Sequence, residues 1–179
     1  MPWFGSSKSA IEAMVEAHYV ALYRFAYRLS GSAQLAEDLT QETFCLAQKK
    51  LHQLREEERA KSWLFAILRN VYLHQARSSK LEKQVSLDGI PEIADRSTEN
   101  GAGPDSAQLQ KALNELPEAF RTPLILYYFE DFSYKEIAEQ MNVPLGTVMS
   151  RLARGKAFLR QRLTDQSDLI VKANQGEVK

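Results

Sequence analysis

The segment SYKEIAEQMNVPLGTVMSRLARGKAFLRQRL, residues 133–163, decides the fold class. Ser133 followed three residues later by Glu136 is a capping-box pattern. It predicts a short helix with Ile137, Ala138 and Met141 turned inward. Asn142-Val143-Pro144 breaks that helix, and a longer one runs from about 145 to 163. Its inner stripe is supplied largely by Val148, Leu152, Leu159 and Leu163. A short helix, a three-residue break and a longer basic helix outline a helix-turn-helix. From Thr147 to Leu163 there are five basic residues and no acid.

A helix-turn-helix places its second helix in the major groove, with its N-terminal residues at base edges and flanking charges on phosphates. Thr147, Ser150, Arg151 and Arg154 stand early on this helix, at positions free to leave the core. Arg151 is the first candidate for a base-edge contact, since a guanidinium can donate two hydrogen bonds to guanine. Arg154, Lys156 and Arg160 suit phosphates, with Arg154 able to reach either kind of group. The competing reading is a solvated basic helix end, favoured by the helix dipole.

Upstream, residues 106–163 read as one helical block. A helix through Leu109, Ala112, Leu113 and Leu116 meets Pro117, which can open the next helix at its first turn. Pro123 marks either a kink or the true start of the helix carrying Leu124 to Phe129. A second block, residues 9–77, begins with Ser9 and Glu12 in capping-box spacing. Ile11, Val15, Leu22, Phe25, Ala26 and Leu29 then recur at helical intervals up to Ser30-Gly31. A second helix covers about 33–54, with Leu35, Leu39, Phe44, Ala47 and Leu51 inward. A third runs through Trp63, Leu64, Ile67, Leu68 and Val71 to about Arg77. Residues 78–105 hold no sustained period and are read as a flexible linker, longer than connections inside a compact domain. The fold class is therefore all-α: two small helical domains joined by a flexible linker, the second containing a helix-turn-helix. Residues 164–179 read as a poorly ordered tail or a weak docking segment.

The chain has 179 residues, 23 basic and 23 acidic, and so no net charge. This weighs against a protein that coats nucleic acid indiscriminately, but the distribution counts for more than the sum. Between Ser78 and Gln108 there are six acids against three bases. No apolar run reaches the ~18 residues of a membrane span, and residues 1–9 lack the features of a signal peptide. The expected location is cytoplasmic, without membrane insertion. Cys45, the single cysteine, is read as a small buried hydrophobe beside Phe44 and Leu46. His18, His52 and His74 are too scattered for a metal site. No cofactor and no catalytic residue are expected, since no phosphate-binding glycine loop, zinc spacing or nucleophile motif occurs.

The stretch LNELPEAFRTPLILYYFEDFSYKEIAEQMNVPLGTVMSRLARGKAFLRQRL, residues 113–163, resembles region 4 of the extracytoplasmic-function group of sigma-70 family factors. The resemblance rests on Gly146-Thr147-Val148 and Ser150-Arg151-Leu152, and it implies reading of a promoter's −35 element. Gly155, where the family commonly has alanine, and Pro123 depart from the pattern. An interior glycine there weakens the helix by roughly 1 kcal/mol. AEDLTQETFCLAQKKL, residues 36–51, resembles region 2.2, which implies docking on the clamp helices of the largest subunit of core RNA polymerase. Asp38, Gln41 and Glu42 can share an exposed face opposite Leu39 and Phe44. By themselves they read by default as a solvated helix face, and it is the resemblance that implies docking.

KSWLFAILRNVYLHQAR, residues 61–77, resembles regions 2.3 and 2.4, which open and hold the −10 element. Lys61, Trp63, Arg69, Asn70, Tyr72 and Arg77 are the candidates, because rings stack on unpaired bases while cations meet phosphates. Most of this helix must nonetheless be core, and Trp63 is at core spacing. The family reading implies an alternative sigma factor that binds core polymerase, directs it to specific promoters and assists −10 strand opening. It also admits an inhibitory anti-sigma partner. A stand-alone helix-turn-helix regulator is the alternative, and it leaves residues 36–51 and 61–77 without a task.

Overall fold

The computed structural model describes the backbone of residues 7–85 and 104–175, and the side chains of residues 10–78 and 106–164. The described residues are helices and connecting turns, divided into two compact units, residues 1–97 and 98–179. The stretch 86–103, the centre of the expected linker, lies outside the described residues, as do 1–6 and 176–179.

Unit 1 is built from α1 (Ser7–Ser30), α2 (Ala33–Lys50) and α3 (Ala60–Val85), with short 3-10 turns at Leu51–Gln53 and Glu57–Arg59. α1 therefore begins ahead of the expected Ser9 cap. It ends as expected at Gly31, whose φ of 73° is a conformation glycine adopts without strain, and the Gly31 amide donates to the Tyr27 carbonyl at 2.7 Å. Ser32 then caps α2, its side chain accepting from the Leu35 amide at 3.3 Å. α3 continues past Arg77 to Val85, eight residues into the expected linker.

Each helix of unit 1 packs on the other two. The apolar periodicity explains the core: Met14, Leu22, Phe25 and Leu29 of α1 meet Leu39 and Phe44 of α2 and Leu64, Phe65 and Leu68 of α3, all buried. The Phe25 and Phe65 rings lie 4.9 Å apart at its centre, and fully burying one such side chain stabilises the fold by about 1.5–3 kcal/mol. Two buried hydroxyls interrupt the apolar face of α2. Thr40 donates to the Ala36 carbonyl and Thr43 to the Leu39 carbonyl, both at 2.7 Å, so neither is left unsatisfied.

Unit 2 comprises α4 (Pro104–Glu115), α5 (Glu118–Glu130), α6 (Tyr134–Met141) and α7 (Leu145–Gln175). Pro117 caps α5 from outside. Pro123 is buried within α5, which runs on through it rather than starting there. The capping box is complete: the Glu136 amide donates to Ser133 Oγ at 3.3 Å, and the Ser133 amide to Glu136 Oε2 at 2.8 Å. α5 and α6 close on Asp131 and Asn142 in the left-handed region, φ 58° and 52°. Asp and Asn tolerate this region better than other side chains with a Cβ. α7 extends to Gln175, well beyond the expected end at 163.

Gly155 packs closely against α5. It is buried, and a Cβ built there would stand 2.6 Å from Leu124 Cδ1, itself buried on α5. The glycine costs the helix roughly 1 kcal/mol of propensity, and overpacking a core costs about 1–3 kcal/mol. We therefore expect Gly155→Ala to destabilise unit 2 by about 1 kcal/mol net, and Gly155→Ala combined with Leu124→Ala to cost less than the sum of the two changes. Chemical denaturation of the four proteins in the cycle measures this. Stabilisation by Gly155→Ala alone would refute the close approach.

Candidate nucleic-acid interface

On α7 the buried side is formed by Val148, Leu152 and Gly155. Helical geometry then turns the opposite side outward. Gly146, Met149, Ser150, Ala153, Arg154, Ala157 and Arg160 are exposed, as is Lys156. Thr147 and Arg151 are half-buried on the flank. Of the candidates read from sequence, Ser150, Arg154 and Arg160 thus share the outward face, while Arg151 stands at its edge. Arg162, also basic, is committed elsewhere: its Nε lies 2.9 Å from Glu115 Oε2 of α4, and its guanidinium sits 5.3 Å from the Phe158 ring centre. Met149 and Ala153 were not among the candidates because charged and hydroxyl side chains, rather than apolar ones, mark a DNA contact in a sequence.

α6 packs on α7, and its N-terminal turn presents exposed Tyr134 and Lys135. The Tyr134 ring is tilted against that of Tyr127 with ring centres 4.9 Å apart, and a hydrogen bond with Tyr127 pushes its phenol above the usual range. All three break residues between the helices, Asn142, Val143 and Pro144, line a shallow groove with Ala138 and Leu145.

In unit 1, Asp38, Gln41 and Glu42 are all exposed, on the side of α2 away from buried Leu39 and Thr43. Cys45 extends the same strip and is exposed, which corrects its expected burial. The reason is spacing: Cys45 follows Gln41 and Glu42 by one helical turn and so shares their outward face. Glu42 is not merely solvated, because its Oε2 accepts from Gln75 Nε2 of α3 at 2.9 Å.

Along α3, exposed Asn70 and Arg77 align with half-buried Trp63 at successive seven-residue intervals, making one stripe. Arg69 is half-buried and lies off this stripe, one turn before Tyr72. Lys61 and Tyr72, three turns apart, belong to a different edge, where Lys61 lies 5.9 Å from the Phe65 ring centre. There, burial first and the Lys61 charge second hold the His18 imidazole below its ordinary range. The six candidates therefore spread over more than one side of α3.

Among the described residues no group of His, Cys, Asp or Glu is placed to hold a metal ion, and no helix is long and apolar enough to cross a membrane.

Comparison with known proteins bears on both units. Residues 14–82 match the family model "Sigma-70 region 2" and residues 106–159 match "Sigma-70, region 4". The chain is 36% identical over 164 residues to the ECF RNA polymerase sigma factor SigE of Mycolicibacterium smegmatis, covering 87% of this chain but 62% of that relative's length. It is 32% identical to the ECF RNA polymerase sigma factor SigM of Bacillus subtilis, covering 84% of this chain and 93% of the relative. Among solved structures, the sigma factor RpoE of Bartonella quintana, crystallised in complex with the anti-sigma factor NepR, superimposes with a TM-score of 0.77 at 31% identity, over 86% of this chain and 96% of that one.

Proposed function

Because the chain belongs to the extracytoplasmic-function group of sigma-70 family RNA polymerase sigma factors, we propose that it works in the cytoplasm as an alternative initiation factor in which each unit has its own task. Unit 1 docks on the clamp helices of core RNA polymerase through Asp38, Gln41 and Glu42 and holds the opened −10 strand along α3. Unit 2 reads the −35 element with the outward face of α7. One observation carries this reading: a single chain holds both a helix-turn-helix whose second helix turns the acid-free stretch 147–163 outward and a separate region-2-like unit with an exposed acidic strip. A stand-alone regulator needs only the first.

On α7 we assign the base-edge contact to Arg154, with Ser150 beside it, and give Arg151, Lys156 and Arg160 to phosphates; Thr147 flanks the entry of the helix. On α3, Trp63, Asn70 and Arg77 form the strand-holding stripe, with Lys61, Arg69 and Tyr72 on another side of the helix. An anti-sigma partner is proposed on the example of the Bartonella quintana relative, whose solved complex contains one.

The deciding test is whether the purified chain comigrates with core polymerase and whether that complex starts transcription at a defined promoter. Comigration without initiation, or promoter binding without comigration, sinks the proposal.

Strand opening should depend on α3 more than closed-complex binding does. Arg69→Ala and Tyr72→Ala are expected to lower opening at matched promoter occupancy. The Tyr72 effect should be roughly fivefold or more, from the ~1–3 kcal/mol of a base–aromatic stack. Permanganate reactivity of the −10 thymines reports it, and full reactivity in both variants would remove these side chains from the strand-holding surface.

A further inference from the structure

The outward face of α7 is chemically mixed, and the mixture carries information about the DNA it reads. Met149 is 52% exposed, a long apolar side chain held in water one residue before Ser150. An exposed methionine alone is an ordinary surface feature. Here, however, exposed Ala153 follows one turn later on the same side. The two lie within the acid-free stretch 147–163 of α7, flanked by exposed Arg154, Lys156 and Arg160. Exposed Gly146 and Ala157, above and below them, add no bulk that would hold the helix off a groove floor.

Ser150 is constrained as well. Its Oγ donates to the Thr147 carbonyl at 3.0 Å. With that proton committed, the hydroxyl turns lone pairs outward and acts as an acceptor. In the major groove the amino groups that an acceptor can read belong to adenine and cytosine, the methyl group belongs to thymine, and guanine offers acceptors only.

Given the helix-turn-helix reading proposed above, we infer that Met149 is a specificity determinant that packs, with Ala153, on the C5-methyl of a thymine in the −35 element. Ser150 accepts from an adenine or cytosine amino group beside it, and guanine is left to Arg154. The element read by this chain therefore contains a thymine recognised through its methyl group, not through a hydrogen bond.

The test uses the full chain assembled with core polymerase and duplexes randomised across the −35 region. After selection, each thymine of the recovered element is replaced by deoxyuridine, which removes the methyl and nothing else. We expect a loss of roughly three- to fivefold at one position, the size set by burying a single methyl-sized group. Met149→Ala should lose a similar factor on the thymine duplex and show no further loss with deoxyuridine at that position, while Met149→Leu should keep the thymine preference. Independent, multiplying losses from Met149→Ala and deoxyuridine would overturn the inference, as would unchanged binding at every substituted thymine. A recovered element without thymine overturns it too but leaves the helix-turn-helix reading standing. Recovery of no preferred element overturns both.

Discussion

Reversal of the acidic strip, Asp38→Lys with Glu42→Lys, is expected to weaken the complex with core polymerase by on the order of 100-fold, in line with the several kcal/mol that charge pairs can contribute at a protein interface. Both carboxylates are exposed on α2, clear of the core residues Leu39 and Phe44, so unit 1 should keep its helicity. Glu42 adds a second consequence. Its carboxylate accepts from Gln75, so its reversal also releases the hydrogen bond that joins α2 to α3. Gln75→Ala separates the two effects, since it removes the internal bond and keeps both charges. That variant should bind core enzyme within a few-fold of the parent, an exposed hydrogen bond being worth about 1 kcal/mol. Titration at physiological salt measures the difference. Undiminished affinity of the double reversal would place the docking surface elsewhere, and an equal loss in Gln75→Ala would make helix positioning, not charge, the cause.

The second large effect concerns −35 discrimination. Arg154→Ala is expected to cost about 1–3 kcal/mol at one or two base pairs, the value of a bidentate contact to guanine. Arg160→Ala should weaken binding to all sequences alike and make it less steeply salt-dependent, as loss of one phosphate contact does. Sequence reasoning gives the base contact to Arg151, which belongs to the same motif and precedes Arg154 by only three residues. Packing changes the preference, because Arg151 is half-buried on the flank whereas Arg154 shares the exposed side with Ser150. Affinities of the three alanine variants for a panel of single-base −35 duplexes, at several salt concentrations, distinguish these assignments. Lost base preference in Arg151→Ala with a uniform loss in Arg154→Ala would restore the order suggested by sequence. No change in any variant would take α7 out of the major groove.

Local chemistry made much of this protein legible from its sequence. The Ser133–Glu136 box, the Ser30-Gly31 stop and the break at Asn142 to Pro144 each act through groups a few residues apart, and each is found where the pattern puts it. Element ends were less legible. α3 and α7 outrun their expected ends by eight and twelve residues, to Val85 and Gln175. Polar residues such as Gln84 and Gln166 support a helix without marking it by apolar period. Pro123 shows the converse, a local helix breaker tolerated inside α5 at a buried position. Propensity there is outweighed by tertiary packing.

By itself the sequence determined the all-helical class and the two-block order and indicated the segments proposed to carry function, because periodicity, caps and charge distribution are properties of neighbouring residues. Apolar periodicity also indicated the inner sides of α2 and α7, but only the tertiary structure decided how far each flanking residue is turned outward. It moved Cys45 from core to surface, set Met149 and Ala153 among the DNA-facing candidates, tied Glu42 to Gln75 and turned Gly155 from a weakness into a fit against Leu124. The physical reason is that burial is a relation between helices. A residue's outward or inward position follows from the contacts its helix makes with residues distant in the chain, and these are absent from any local stretch of sequence.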